Sequence, residues 1–352
     1  MDCKLIAVLG AGGVGKTTSS ASIGMALAQQ GHRVAVITVD PAKRLAQALG
    51  LQSLTNEPQR VTEGTQGGSL DALWLDTAKA VEDVVRSHVS PSLQGALLNH
   101  RLFKIVQSQL GGIEEYLGVE RLLRLGQSGN YDVCILDTPP SRHALDFLDS
   151  PKHLLKFFDE SVLRVFMNLA RAPDASELGF FKKLLRSGTD QVLDVFRNFL
   201  GRSFLSELAE LLTQMKPIYA ALKKSSVEIE AWVKDPSTRF VVVSLAEPYP
   251  MREAELIEHE LRLRELNQAR LLVLNRSLPE EALLNPQELE KVVGPQLATL
   301  WRGALDRQRL LTEKLRTQSD RKWVQVPRFS VTKLNLQELQ NLGNLVLKEL
   351  AL

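Results

Sequence analysis

Cysteine is nearly absent: the 352-residue chain has two, Cys3 and Cys134. They offer neither a C-x-x-C metal pair nor a disulfide framework, so zinc is not expected. Each lies in or beside an apolar run and reads as a small core residue. No apolar stretch approaches the roughly 20 residues of a membrane helix, which argues against integral insertion. A secretory leader is not expected, because the first apolar run is short and ends in glycine. Charge of one sign is missing too. With 43 basic residues against 41 acidic ones, nothing electrostatic favours nucleic acid or a membrane surface. The setting these absences imply is cytoplasmic and reducing.

What is present is a 44% apolar chain with enough hydrophobic surface for a real core. Leu5 to Leu9 predicts a short strand that runs into Gly10-Ala11-Gly12-Gly13-Val14-Gly15-Lys16-Thr17-Thr18. Thr18 to Gln30 follows as a helix closed by Gly31. Strand, G-x-x-x-x-G-K-[ST], helix is the phosphate-binding P-loop in its proper context. Phosphate oxygens must come close to main-chain N–H groups, which side chains at the glycines would obstruct. Gly12, Gly13, Val14, Gly15, Lys16, Thr17 and Thr18 are therefore candidate nucleotide contacts. Lys16 is placed to reach the β- and γ-phosphates, and the Thr17 hydroxyl to ligate Mg²⁺.

Further strands are predicted at Val34–Val39, Leu70–Leu75, Tyr131–Asp137, Phe240–Ser244, Leu271–Asn275 and Trp323–Val326. Residues 51–68 are polar and glycine-rich and read as a loop. Helical patterns cover Thr77–His88 and Leu102–Leu125, and from Pro151 to about Lys234 only helical patterns occur. The expected fold is α/β, a doubly wound and mostly parallel sheet with a helical insertion. Its expected partition is a core from 1–150 and 235–352, interrupted by a helical subdomain at 151–234. The strand after the P-loop helix ends at Asp40-Pro41, on the sheet edge where nucleotides bind. A carboxylate there can hold an attacking water and accept its proton. Asp137 ends an apolar strand and is followed by Thr138-Pro139-Pro140, a Walker-B arrangement that organises Mg²⁺, here expected through water. The late strand ends Asn275-Arg276-Ser277-Leu278, without the acid of a guanine-reading element, so adenine is favoured.

These elements resemble the ArsA-type ATPases, which include the arsenite-pump ATPase and the guided-entry ATPase for tail-anchored proteins. The likeness rests on Gly10–Thr18, Val39-Asp40-Pro41-Ala42, Asp137–His143, Glu114-Glu115-Tyr116, Ser244, Leu274-Asn275-Arg276 and Val326-Pro327. It implies Asp40 as the water-activating acid and Asn275, Arg276 and Pro327 as base contacts. It also implies a dimer meeting face to face across two nucleotides, with a composite groove on the helical subdomains for a hydrophobic helix or protein client. The family usually carries lysine directly after the first P-loop glycine, where this chain has Ala11. The chain is thus expected in a bacterial branch lacking that lysine. A lysine-bearing paralogue completes a heterodimer, or Lys43, Arg44 or Arg142 substitutes within a homodimer. Two cysteines are too few for an arsenite site. Competing expectations are a weakly hydrolysing nucleotide-dependent scaffold and a MinD- or ParA-like positioning ATPase. The last would want a basic C-terminal helix, but Leu334–Leu352 reads as a helix packed on the sheet.

Overall fold

The computed structural model describes residues 3–39, 43–101, 103–104, 113–139, 207, 210–211, 213–266, 270–278, 290–291, 293–318, 322–328 and 335–350. The chain forms two compact units: Met1–Asp76 with Arg121–Leu145 and Ala231–Leu352, and Thr77–Glu120 with Asp146–Glu230. The helices from Thr77 onward thus group with the insertion, whereas the sequence partition kept 77–120 within the core.

The first unit is built on one eight-stranded sheet. Its strands are β1 Lys4–Gly10, β2 Arg33–Thr38, β3 Gln59–Glu63, β4 Ser69–Trp74, β5 Val133–Asp137, β6 Arg239–Leu245, β7 Arg270–Ser277 and β8 Lys322–Pro327. Their spatial order is β3-β4-β2-β5-β1-β6-β7-β8. All neighbours are parallel except β3, which runs antiparallel to β4. The central strands are apolar on both faces, the pattern of a parallel sheet covered by helices. Each fully buried Leu, Ile or Val there contributes roughly 1.5–3 kcal/mol over leaving it in water.

Helix α1, Lys16–Gln29, follows β1 and leads into β2, which lies two places away with β5 between them. Nearly all of α1 is buried, which its run of small residues, Ser19 to Ser22 and Gly24, permits. Helix α7, Pro248–Leu263, follows β6 and packs on β6 and β1. Helix α9, Leu336–Leu350, packs on α1 through Leu339, Leu342, Gly343 and Val346. A Cβ on Gly343 would stand 1.9 Å from the Ser22 carbonyl oxygen, so glycine is what lets these helices approach. A capping box starts α9: Asn335 Oδ1 accepts from Glu338 N–H, and Glu338 Oε2 from Asn335 N–H. The packing of α9 on the sheet is what the leucine spacing predicted; its packing on α1 is an addition of the structure.

One expectation fails here. Residues 51–68 are not all loop, because β3 and a 3₁₀ turn at Thr65–Gly67 lie within them. The strand is polar and half exposed, so it carries no alternating apolar signal. It exists by adding to the β4 edge, where Arg60 pairs with the buried carboxylate of Asp71.

In the second unit, α3 (Thr77–His88) and α4 (Pro91–Asn99) form a helical hairpin. The Gln94 side-chain amide donates to the carbonyls of Arg86 and Val89, satisfying the end of α3. Helix α5, Ile113–Gln127, belongs to this unit up to Glu120, and α6, Lys216–Lys234, up to Glu230. Most of the 151–234 insertion lies outside the described residues.

Candidate active site

The carboxyl ends of β1, β5, β7 and β8 bring the glycine loop, Asp137, Asn275, Arg276 and Pro327 to one edge of the sheet. Register does the positioning: Thr38 and Val8 both align with Asp137, and Gly10 with Val243. From Gly10 the chain turns through a loop in which Gly13 has φ +77 and Gly15 has φ +102. A Cβ on Gly15 would lie 2.1 Å from Asn275 Nδ2, so both backbone conformation and space demand glycine. Helix α1 then begins without a side-chain cap and without an acid in its first turn, leaving its positive end available to an anion.

Lys16 is buried, and its ammonium donates to the carbonyls of Gly10 at 3.0 Å and Ala11 at 2.9 Å. The side chain therefore curls back over the loop it follows. Ala11 itself packs in the apolar core with Val14. Asp137 has no solvent exposure and accepts from three hydroxyls: Thr17 at 2.8 Å, Thr38 at 3.0 Å and Ser20 at 3.3 Å. The next residue, Thr138, anchors β5 to β1 through its hydroxyl on the Val8 carbonyl.

Across the loop, Asn275 is also buried; its Nδ2 donates to the Val14 carbonyl at 2.8 Å and its Oδ1 accepts from Arg276 N–H. That bond ties the end of β7 to the P-loop, 261 residues apart. It also supports Arg276, a non-glycine residue at φ +53.

A cavity of about 1160 Å³ joins these parts. Its lining includes Gly13, Gly15, Lys16, Thr17 and Thr18 of the glycine loop together with Asn275, Arg276 and Pro327. Val14 turns its side chain into the core and contributes its carbonyl; Gly12 is exposed. Arg44 of α2, Lys43–Ala48, lines the cavity with the P-loop residues. Asp40, Pro41, Ala42 and Arg142 lie outside the described residues, as do the side chains of Lys43 and of Glu114-Glu115-Tyr116.

Sequence reading missed several wall residues. Arg307 and Gln308 come from α8, Pro295–Thr317, and Arg328 follows β8. No motif marks them, since they reach the cavity only through tertiary packing. With Lys16, Arg44 and Arg276, they give the wall a strongly basic character, opposed among the described lining residues by Glu247 alone. A near-neutral chain has thus concentrated positive charge where the glycine loop opens.

No group of three or more His, Cys, Asp or Glu suited to a metal occurs among the described residues. Nor, among them, is any helix long and apolar enough to cross a membrane.

The chain is 29% identical over 266 residues to the ATPase GET3 of Mycosarcoma maydis, covering 75% of this chain and 70% of that protein. It is 27% identical over 288 residues to the ATPase asna-1 of Caenorhabditis elegans, covering 79% and 75%. Against the ATPase ASNA1 homolog of Babesia bovis, identity is 34% over 175 residues, 46% of this chain and 45% of that protein. The anion-transporting ATPase family, the ArsA ATPases, matches residues 3–300, a span that takes in the glycine loop, Asp137 and the Asn275 anchor. The glycine loop and the Asn275 anchor line a basic cavity suited to an enzyme acting on ATP, and the chain belongs to the ArsA family of ATPases.

Proposed function

We propose that the chain is a Mg²⁺-dependent ATP-hydrolysing switch that works as a dimer. The observation that carries the reading is the buried Asp137 carboxylate, gathering the hydroxyls of Thr17, Thr38 and Ser20 beside Lys16. The residues fit Mg²⁺: Thr17 spends its proton on Asp137, which leaves oxygen lone pairs for a hard cation. Such an ion typically takes few protein ligands and completes its shell with water and substrate phosphate. Thr17 would hold it directly and Asp137 through water. Once bound, it would neutralise charge on the β- and γ-phosphates.

The protein's own contributions follow from placement. The amides of residues 13–18 and the start of α1 receive the triphosphate, with Lys16 neutralising its β- and γ-oxygens. Asp40 orients the attacking water and takes its proton as the bond to the γ-phosphorus forms and ADP leaves. Asn275, Arg276 and Pro327 receive the base. Arg44, which lines the same cavity as Lys16, supplies the second cation for the phosphates in cis, position 11 being alanine. In a dimer across the nucleotides, binding and hydrolysis then alternate two states. The Phe- and Leu-rich 151–234 segment supports reading the client as an apolar helix or protein.

Steady-state and single-turnover hydrolysis by the purified chain test this. Asp40→Asn should bind ATP normally and lose roughly 10²–10⁴ in turnover. Arg44→Ala should lose about 10²–10³, the scale of one transition-state donor. Full turnover by Asp40→Asn would remove the proposed base. Full turnover by Arg44→Ala would return the missing cation to Lys43, Arg142 or a partner subunit.

A further inference from the structure

The wall residue Gln308 is buried in the middle of α8 with 3% exposure. Its Oε1 accepts from the Leu278 main-chain N–H at 2.8 Å, and its Nε2 donates to the Leu278 carbonyl at 2.9 Å. A main-chain N–H and C=O on one residue fix which way the amide points, and among side chains of this length only glutamine matches both. Leu278 directly follows Asn275-Arg276-Ser277, and both Leu278 and Gln308 line the cavity.

Three separate elements hold this loop. The P-loop takes Asn275 through the Val14 carbonyl, and Arg328 N–H, after β8, donates to the Ser277 carbonyl at 2.9 Å. Helix α8 takes Leu278 through Gln308. Between the first and last anchors stands Arg276 at φ +53, where β7 and β8 also lose register. A side-chain-bearing residue persists in that conformation when its surroundings over-determine it. The clamp from α8 is the one anchor that depends on a side chain remote from any nucleotide motif.

We propose that Gln308 is a positioning residue for base recognition. By pinning Leu278 it holds the 275–278 loop in the shape that receives the base, and so sets how much affinity the nucleoside adds to the triphosphate. The inference rests on the reading that this loop is the base end of the cavity.

Calorimetric titration of the full chain with ATP and with inorganic tripolyphosphate, magnesium present, tests it. Tripolyphosphate engages the P-loop and has no base. The unmodified protein should bind ATP at least tenfold more tightly than tripolyphosphate. Gln308→Met keeps the length and removes both hydrogen bonds; it should weaken ATP about tenfold and leave tripolyphosphate within twofold. Gln308→Asn keeps an amide but stops short of Leu278, and should show the same selective loss if the methionine variant folds poorly. Undiminished ATP affinity in the variants, or equal loss for both ligands, overturns the positioning role. A wild-type protein that binds both ligands alike overturns the assignment of the base end itself.

Discussion

The two edges of the central sheet are built from similar residue types and end in opposite conditions. At the amino edge, polar groups pair with one another. Arg33 holds Asp132 bidentately, and Tyr131 donates to Asp71 beside Arg60. Cys3 and Cys134, both buried and reduced, bring their sulfurs to 3.5 Å, and the Trp232 indole donates to the Cys3 carbonyl. At the carboxyl edge the polar groups are held by main chain or by one buried acid, and the wall opens to a cavity. Left-handed backbone at Gly13, Gly15 and Arg276 accompanies that opening. One edge satisfies itself; the other is preorganised for something else.

Disturbing the carboxyl edge should therefore cost activity, and disturbing the amino edge should cost only stability. The largest effect is expected from Lys16→Ala, which should lower ATP turnover by about 10²–10³ or more with little change in unfolding free energy. A loss of stability without loss of turnover would reverse the contrast. Gly15→Ala comes next, since its Cβ meets Asn275 and its backbone is left-handed. It should destabilise the chain by about 1–3 kcal/mol in denaturant titrations and weaken ATP binding at the same time.

Tyr131→Phe samples the other edge. It removes one hydrogen bond to Asp71, which keeps Arg60, and should cost about 1 kcal/mol with normal turnover. Burial and the bond to Asp71 raise the Tyr131 pKa above its ordinary value. Its contribution should be complete below about pH 10 and disappear as pH rises through the raised value. The smallest effect belongs to Asp132→Asn. Hydrogen bonds from Arg33 depress the Asp132 pKa, yet both side chains are well exposed and screened by solvent. Wild type and variant should differ slightly in melting temperature at neutral pH and converge as pH falls below the ordinary carboxylate range. A widening gap on acidification would contradict this.

The carboxyl edge was legible where chemistry is local. The P-loop declares itself in nine consecutive residues, and Asp137 by ending an apolar strand. What escaped is held by distant partners. Strand β3 is polar and exists by pairing with β4, so no periodicity announces it. Gln308 is one polar residue on a long amphipathic helix, given meaning only by Leu278, 30 residues earlier. The grouping of 77–120 with the insertion is likewise a property of packing, which composition does not record. Asn275 is an intermediate case. Its strand-end position marked it as a base contact, and the structure adds a hydrogen bond to Val14 that the sequence could not show.

The central claim is that the carboxyl-edge cavity receives ATP with its triphosphate on the glycine loop. A crystal structure of the full chain with Mg²⁺ and a non-hydrolysable ATP analogue tests it most directly. The account predicts triphosphate density on the amides of residues 13–18, a cation beside Thr17, and the base against residues 275–278. Nucleotide bound anywhere else, or a base turned away from that loop, would contradict it.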